Sequence, residues 1–434
     1  MTDDRSTLGT VWLVSLGAVF AGLLSPDQWL AWLLLGLTLI LPLASTSIRD
    51  DYRLTMTVYL VIACHHGLAV LVVFEHFRPL DLWDAFYFDH MASQSAQVLG
   101  GMVTWELGFR TYVNILKGVY LVNDHFFVGA ELSILFAVAA LLLTIEIARE
   151  IKVPKEKLWW VAVAGLIPGS LIFFSVTYRE SCQLFFLVVS VWAAIRMLNR
   201  GEVRWWALFA AALVCMGILH KALAVYLFFM ILLMMVFMVV MSERSFARWG
   251  ISLGILSGVV GVIVWVIPEF VGFLEPFIRL IDLDGFDRIT TYRERMVNHG
   301  APRTAYKLVS DWSDLPGIVT TLGSIYLHYL FAPFNGITRW IDLYAIAEAW
   351  MRFVLMAVVG VGFFRVPRGE RRLLLFLLIV YLSLTLLCSM GTTNYGQALR
   401  HHTMTNWVLF ILFTAVVSRT GRLFVGLRRA GRAI

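Results

Sequence analysis

The sequence predicts an all-α, polytopic integral membrane protein of about twelve transmembrane helices, with interfacial or re-entrant helices on one face. Three observations carry this. Apolar runs close to the ~20 residues that span a bilayer recur along the chain. Only 15% of the 434 residues are charged, against about 25% in a soluble domain. The runs are continuous, unlike the short alternating segments of a membrane β-barrel.

The predicted spans are 10–25, 28–45, 56–75, 127–147, 158–176, 182–198, 205–219, 222–241, 250–268, 343–364, 373–390 and 404–418. The second run starts at Trp29, directly after the first, with no evident cleavage site between them, so both read as retained spans. Two further stretches, 111–122 and 318–333, are short or polar and read as re-entrant or interfacial. No internal repeat of the transporter kind shows in the pattern. Residues 1–434 read as one membrane domain with two large outer segments, 76–126 and 269–342.

Lys and Arg set the expected orientation. Arg5, Arg49, Arg53, Arg149, Lys152, Lys155, Lys157, Arg196, Arg200, Arg204, Arg244, Arg248, Arg365, Arg368, Arg371, Arg372 and the basic tail from Arg419 all fall on one side of the alternation. That side is cytoplasmic by the positive-inside bias, together with both termini. The assignment holds only if 318–333 does not cross. The net charge of +6 therefore reads as membrane anchoring, with no nucleic-acid partner. Cys64, Cys182, Cys215 and Cys388 are widely spaced, form no zinc pattern, and read as buried free thiols.

Every cluster with site-like chemistry falls on the opposite, outer face. Segment 76–126 carries Asp81, Asp84, Asp89 and His90, where Asp84 or Asp89 could act as a general base or hold a divalent metal; the plainer reading is a solvated acidic rim. Between two spans, Phe173 to Ser181 form a polar knot containing Arg179 and Glu180, a diphosphate grip or a simple interfacial ion pair. His220 and Lys221 sit at the mouth of the seventh span, where a lysine either snorkels or meets an anion. His65 and His66 lie in mid-span and read as a buried, hydrogen-bonded pair. Phe270 to Ile281 recur at helical spacing and read as a surface helix; the mixed-charge stretch after it includes Arg293. Glu348 and Arg352 are one turn apart and read as an intrahelical pair. Last, Gly391 to His402 read as a glycine-framed outer turn, with Asn394 and Tyr395 suited to sugar hydroxyls and Arg400 and His401 to a phosphate.

The order of these features is a carboxylate-bearing first outer loop, then Phe174-Ser175 with Arg179-Glu180, then a long outer segment ending in Ala332-Pro333-Phe334, then Gly391-Thr392 with Asn394-Tyr395-Gly396 and Arg400-His401. It resembles the Wzy-like repeat-unit polymerases of bacterial surface-polysaccharide clusters and their GT-C-type glycosyltransferase relatives. The resemblance implies a GT-C-like fold in the bacterial cytoplasmic (inner) membrane and a polyprenyl-(di)phosphate-linked sugar donor used at the outer face. It implies an aspartate base, and Arg179, Lys221 and Arg400 holding the donor diphosphate. It implies no cofactor, since cationic side chains can stabilise the leaving group, and a chain-length regulator and a flippase as partners. A single-sugar GT-C enzyme and an O-antigen-type ligase would use the same face. A lipid-linked-sugar transporter would instead distribute polar residues through both halves of the bilayer.

Overall fold

The computed structural model describes residues 26–73, 83–97, 108–200, 204–241, 314–332 and 340–430, with isolated positions at 202, 254, 291, 293–294 and 305–306. The expected span at 10–25, nearly all of 250–268, the surface helix from Phe270, most of the mixed-charge stretch, Asp81 and the Lys221 side chain lie outside the described residues. Among the described residues all regular structure is helical, apart from one isolated bridge between Ala305 and Asn394.

The helices are α1 (Trp29–Ile40), α2 (Tyr52–Val73), α3 (Trp83–Gln97), α4 (Phe109–Tyr120), α5 (Phe126–Glu150), α6 (Leu158–Ala162) and α7 (Pro168–Phe174). They continue with α8 (Glu180–Arg200), α9 (Arg204–Leu219), α10 (Lys221–Met241), α11 (Leu315–Phe331), α12 (Trp340–Phe363), α13 (Arg368–Gly391) and α14 (Tyr395–Ala430). Five described helices are long and apolar enough to cross a membrane, and a sixth span results if the bent pair at 155–174 counts as one. Thus an all-helical architecture compatible with a membrane protein stands, with five or six full-length spans among the described residues.

Two helices form the centre. The α8 helix packs between α5 and α9, and α14 packs against α12, α13, α8 and the broken α6–α7 pair. The described helices alternate between two ends. At the basic end Glu150 takes Arg196 at 2.9 Å and Arg200 at 3.1 Å, and Arg419 of α14 takes Glu370 at 2.5 Å. The opposite end holds the starts of α5, α8, α10 and α14 and the finishes of α2, α7, α9 and α13. This is the alternation that the charge pattern requires.

The run 158–176 is not one straight helix. Pro168 opens a new helix, bent 59° from the segment before it. Proline lacks an N–H and fits a first helical turn, while the residue before it, Ile167, is held extended. Breaking a helix inside an apolar bundle frees backbone groups that must be satisfied there. The Gly169 N–H donates to Glu348 Oε1 at 2.8 Å. Arg352 donates to Glu348 Oε2 at 3.1 Å and reaches the Leu330 carbonyl at 3.0 Å, which is one of the orphan carbonyls at the end of α11. So Glu348 and Arg352 are an intrahelical pair, as their spacing indicates, and also the fastener of two helix ends.

The stretch 318–333 is an apolar 17-residue helix, α11. It runs parallel to α13: Tyr326 bonds Thr385 at 2.8 Å, and Tyr329 lies beside Cys388 at the same sequence offset. Tyr306, upstream of it, donates its N–H to Thr393 O at 2.8 Å, and its ring lies tilted against His328. The end of α11 therefore lies beside the end of α13, and Tyr306 is held at that same end of the bundle.

Arg352→Ala leaves the Glu348 carboxylate buried without its counter-charge. It is expected to destabilise the protein by about 3–5 kcal/mol, with a smaller loss in the double variant Arg352→Met with Glu348→Gln, measured by thermal unfolding in detergent.

Candidate functional site

The polar knot folds inward. Ser175, Thr177, Tyr178, Glu180 and Ser181 are all buried, and Arg179 is partly exposed. Its hydroxyls tie it to the helices around it. Ser175 Oγ donates to Leu171 O at 2.5 Å and is hydrogen-bonded to His65 Nδ1 at 2.9 Å. Thr177 Oγ1 donates to Ala85 O of α3 at 2.8 Å. That last bond fixes the first turn of α3, and with it Asp84, over the knot.

Glu180 is the first residue of α8, where the exposed N–H groups favour a carboxylate. Its side chain is only 1% exposed. Its ion partner is chiefly Arg400, 220 residues later: Arg400 Nε donates to Glu180 Oε1 at 2.7 Å and Nη2 lies 2.6 Å from the same oxygen. The neighbour Arg179 stands farther off, with Nε 3.7 Å from that oxygen. Arg400 is completed by Asp84 Oδ2, 2.5 Å from Nη1, and by the Tyr178 ring 4.5 Å beneath its central carbon. Four charged groups of opposite sign, drawn from α3, the knot, α8 and α14, thus form one network.

Two histidines border it. Thr392 Oγ1 donates to Cys388 O at 2.7 Å, so at 2.8 Å from His401 it can only accept, and the His401 proton is assigned to Nδ1. His401 Nε2 is then a lone pair, available as acceptor or base. His220 Nδ1 accepts the Ala222 N–H at 3.1 Å and caps α10. Burial, then the nearby Arg179 guanidinium, hold His220 well below its ordinary range, so it is neutral at pH 7 and presents Nε2–H.

The terminal cluster is helical, not a glycine-framed turn. The α13 helix runs through Gly391, and α14 begins at Tyr395, so Arg400 and His401 lie in its second turn. The reason is a side-chain cap: Asn394 Oδ1 accepts the Gln397 N–H at 2.8 Å, and the Thr393 N–H donates to Gln397 Oε1 at 3.4 Å. Asn394 is thereby a helix cap. The Tyr395 hydroxyl bonds the buried Asp342. A Cβ on Gly391 would meet nothing within 4 Å, so no close approach requires that glycine.

The other expected site residues divide. Asp84 is in the network; Asp89, about 140° further round α3, is not. Asp89 accepts from Tyr120 Oη of α4 at 2.5 Å. Arg293 donates through Nη1 to the carbonyls of Ser389, Met390 and Thr392 at 3.3, 3.3 and 2.9 Å, closing the end of α13. Sequence reasoning did not single out Tyr178 or Thr392, which set Arg400 and His401. It also passed over Glu131, which pairs with His66 in the interior beneath the knot. A carboxylate within the apolar run 127–147 was the available signal. Among the described residues no three His, Cys, Asp or Glu side chains gather as a metal-ligating set.

Burial raises the Asp89 carboxyl above the ordinary carboxylate range, Asp124 adding to this while the Tyr120 bond and His90 oppose it. A carboxyl raised in the folded state contributes stability at low pH that is lost as pH rises through the folded value. Asp89→Asn is therefore expected to raise the thermal midpoint at pH 7, with the gain vanishing near about pH 4; thermal scans across that interval measure it. Comparison with known proteins adds no relative: no family model matches the chain, and neither a curated protein nor a solved structure matches it.

Proposed function

We propose that this protein is a membrane glycosyltransferase that polymerises polyprenyl-diphosphate-linked oligosaccharide repeat units at the outer face of the bacterial cytoplasmic membrane, in surface-polysaccharide synthesis. The observation that carries the reading is Arg400, held between Glu180 and Asp84 with Arg179 alongside. It sits at the end of the bundle away from the basic anchors. By the positive-inside bias that end is the outer face, and a donor's diphosphate would lie at the depth of the headgroups.

In the proposed reaction the acceptor hydroxyl oxygen attacks the anomeric carbon of the lipid-linked sugar. The bond from that carbon to the diphosphate oxygen breaks, and the diphosphate leaves with the electron pair. Arg400 and Arg179 stabilise the leaving charge, most effectively where water is excluded, and His220 Nε2–H is a further donor. The acceptor proton passes to a carboxylate or an imidazole. Asp84 is the carboxylate within reach of Arg400, and His401 Nε2 is the second basic atom on this network. The two guanidinium groups supply the electrostatic stabilisation, so no metal is assigned a step. A flippase would deliver the donor to this face and a chain-length regulator would act on the product.

A GT-C enzyme adding one sugar and a polymer ligase share this chemistry and differ in acceptor. The lipid-linked oligosaccharides of a strain lacking the gene separate them. Accumulation of single complete units on the carrier is the expected result; an incomplete unit means single-sugar addition, and full-length polymer left on the carrier means a ligase. An unchanged profile would overturn the enzymatic reading in favour of transport or a structural role.

Arg400→Ala is expected to abolish polymer. Because it also leaves Glu180 buried beside Arg179 alone, Arg400→Lys is the companion variant. It keeps the charge but not the two-pronged donor geometry, and polymer should still fall by about ten-fold or more at normal abundance, read by gel profile and immunoblot. Reporter fusions at Lys155 and Arg368 should be cytoplasmic and one at Asn298 external; an internal Asn298 would overturn the sidedness.

A further inference from the structure

The N–H groups of Arg400 are shared unequally between two carboxylates. Nε and Nη2 both go to Glu180, whose side chain is 1% exposed and belongs to the first turn of a central helix. Nη1 goes to Asp84, whose side chain is 52% exposed. One face of the guanidinium lies on the Tyr178 ring. An anion approaching from solvent cannot take Glu180's place without stranding a buried carboxylate, which is strongly unfavourable. Taking Asp84's place returns a half-exposed carboxylate to water, and exposed pairs are weak.

We infer that Asp84 and the donor's phosphate compete for Arg400 Nη1: the diphosphate displaces Asp84, and the displaced carboxylate becomes the free base on the acceptor side. The inference rests on the proposed reading of Arg400 as the diphosphate-binding cation. It adds an order of events. Until the donor is seated, Asp84 Oδ2 is occupied by Arg400 Nη1. Seating the donor unmasks it, so the acceptor is activated only beside a bound donor. No bond other than the Arg400–Asp84 ion pair breaks in this step, and no proton moves.

The direct test is binding, which needs no glycosyl transfer. Full-length protein in detergent is titrated by calorimetry with inorganic pyrophosphate and, separately, with farnesyl diphosphate. Asp84→Asn removes the competitor and is expected to bind about two- to five-fold more tightly than wild type, the size of an exposed ion pair. Asp84→Glu, which keeps the competing charge, should show no gain. Asp89→Asn removes the same charge from the same helix, but its carboxyl faces Tyr120; it should show no gain either, which separates competition from general electrostatics. A gain with both probes means that the site reads the diphosphate alone. A gain with farnesyl diphosphate only means that the anion is read in lipid-linked form. Unchanged or weaker binding by Asp84→Asn, or an equal gain by Asp89→Asn, overturns the competition while leaving the donor site standing. No binding of either probe overturns the donor-site reading with it. In a polymerisation assay the same Asp84→Asn variant should lower the donor KM while lowering kcat, a split that a merely structural aspartate would not produce.

Discussion

The Glu180 carboxylate is the constraint around which the described end of the bundle is arranged. It is almost wholly removed from solvent, and a carboxylate there persists only with cations at hydrogen-bonding distance. Arg400 meets that need with two donors on one oxygen, and the first turn of α8 adds its own backbone field. Because Arg400 belongs to α14 and Glu180 to α8, the pair locks together two central helices. The remaining guanidinium surface is then committed: one side to Tyr178, one N–H to Asp84. The network is near neutral as a set, which lets it persist beside apolar packing, yet its outermost member is half exposed.

A second set of polar bonds supports the first from below. Pro168 breaks the helix that leads into the knot; the Gly169 N–H goes to Glu348, whose partner Arg352 in turn holds the Leu330 carbonyl at the end of α11. The break brings the knot to the end of α8 at an angle that a straight helix would not give. His65 with Ser175, and His66 with Glu131, fill the space beneath it. A cavity of about 30 Å³ between His65, Ser170, Thr144 and Thr403 remains there, room for roughly two waters. In the basic half the ionic contacts are anchors of the Glu150–Arg196 kind.

Position, not residue chemistry, separates what each expected site residue does. Asp84 and Asp89 have the same side chain on the same helix, yet five residues of helical rotation send one to Arg400 and the other to Tyr120. Arg179 and Glu180 are adjacent in the chain, but the closer partner of Glu180 is Arg400. Asn394 and Tyr395 have the chemistry of sugar contacts and are used as a helix cap and an inter-helix bond. Arg293 has the chemistry of a phosphate ligand and is used to close α13.

The sequence by itself determined the helical membrane architecture, the alternation of ends and the gathering of site-like chemistry at one of them. These follow from hydropathy, span length and basic-residue bias, which act locally and leave their record in composition. It also held the side-chain cap of Asn394 and Gln397, which predicts α14 starting at Tyr395, although the flanking glycines draw attention to a loop instead. Only the tertiary structure decided that Glu180 pairs with Arg400 and that Asp84, not Asp89, reaches them. It also decided that Thr392 sets the proton of His401, and that Glu348 holds Gly169. Apart from Thr392 and His401, which are nine residues apart, each of these is a contact between groups well over a hundred residues apart. Its partner is selected by which helices pack and how each is rotated, and no local spacing encodes that choice.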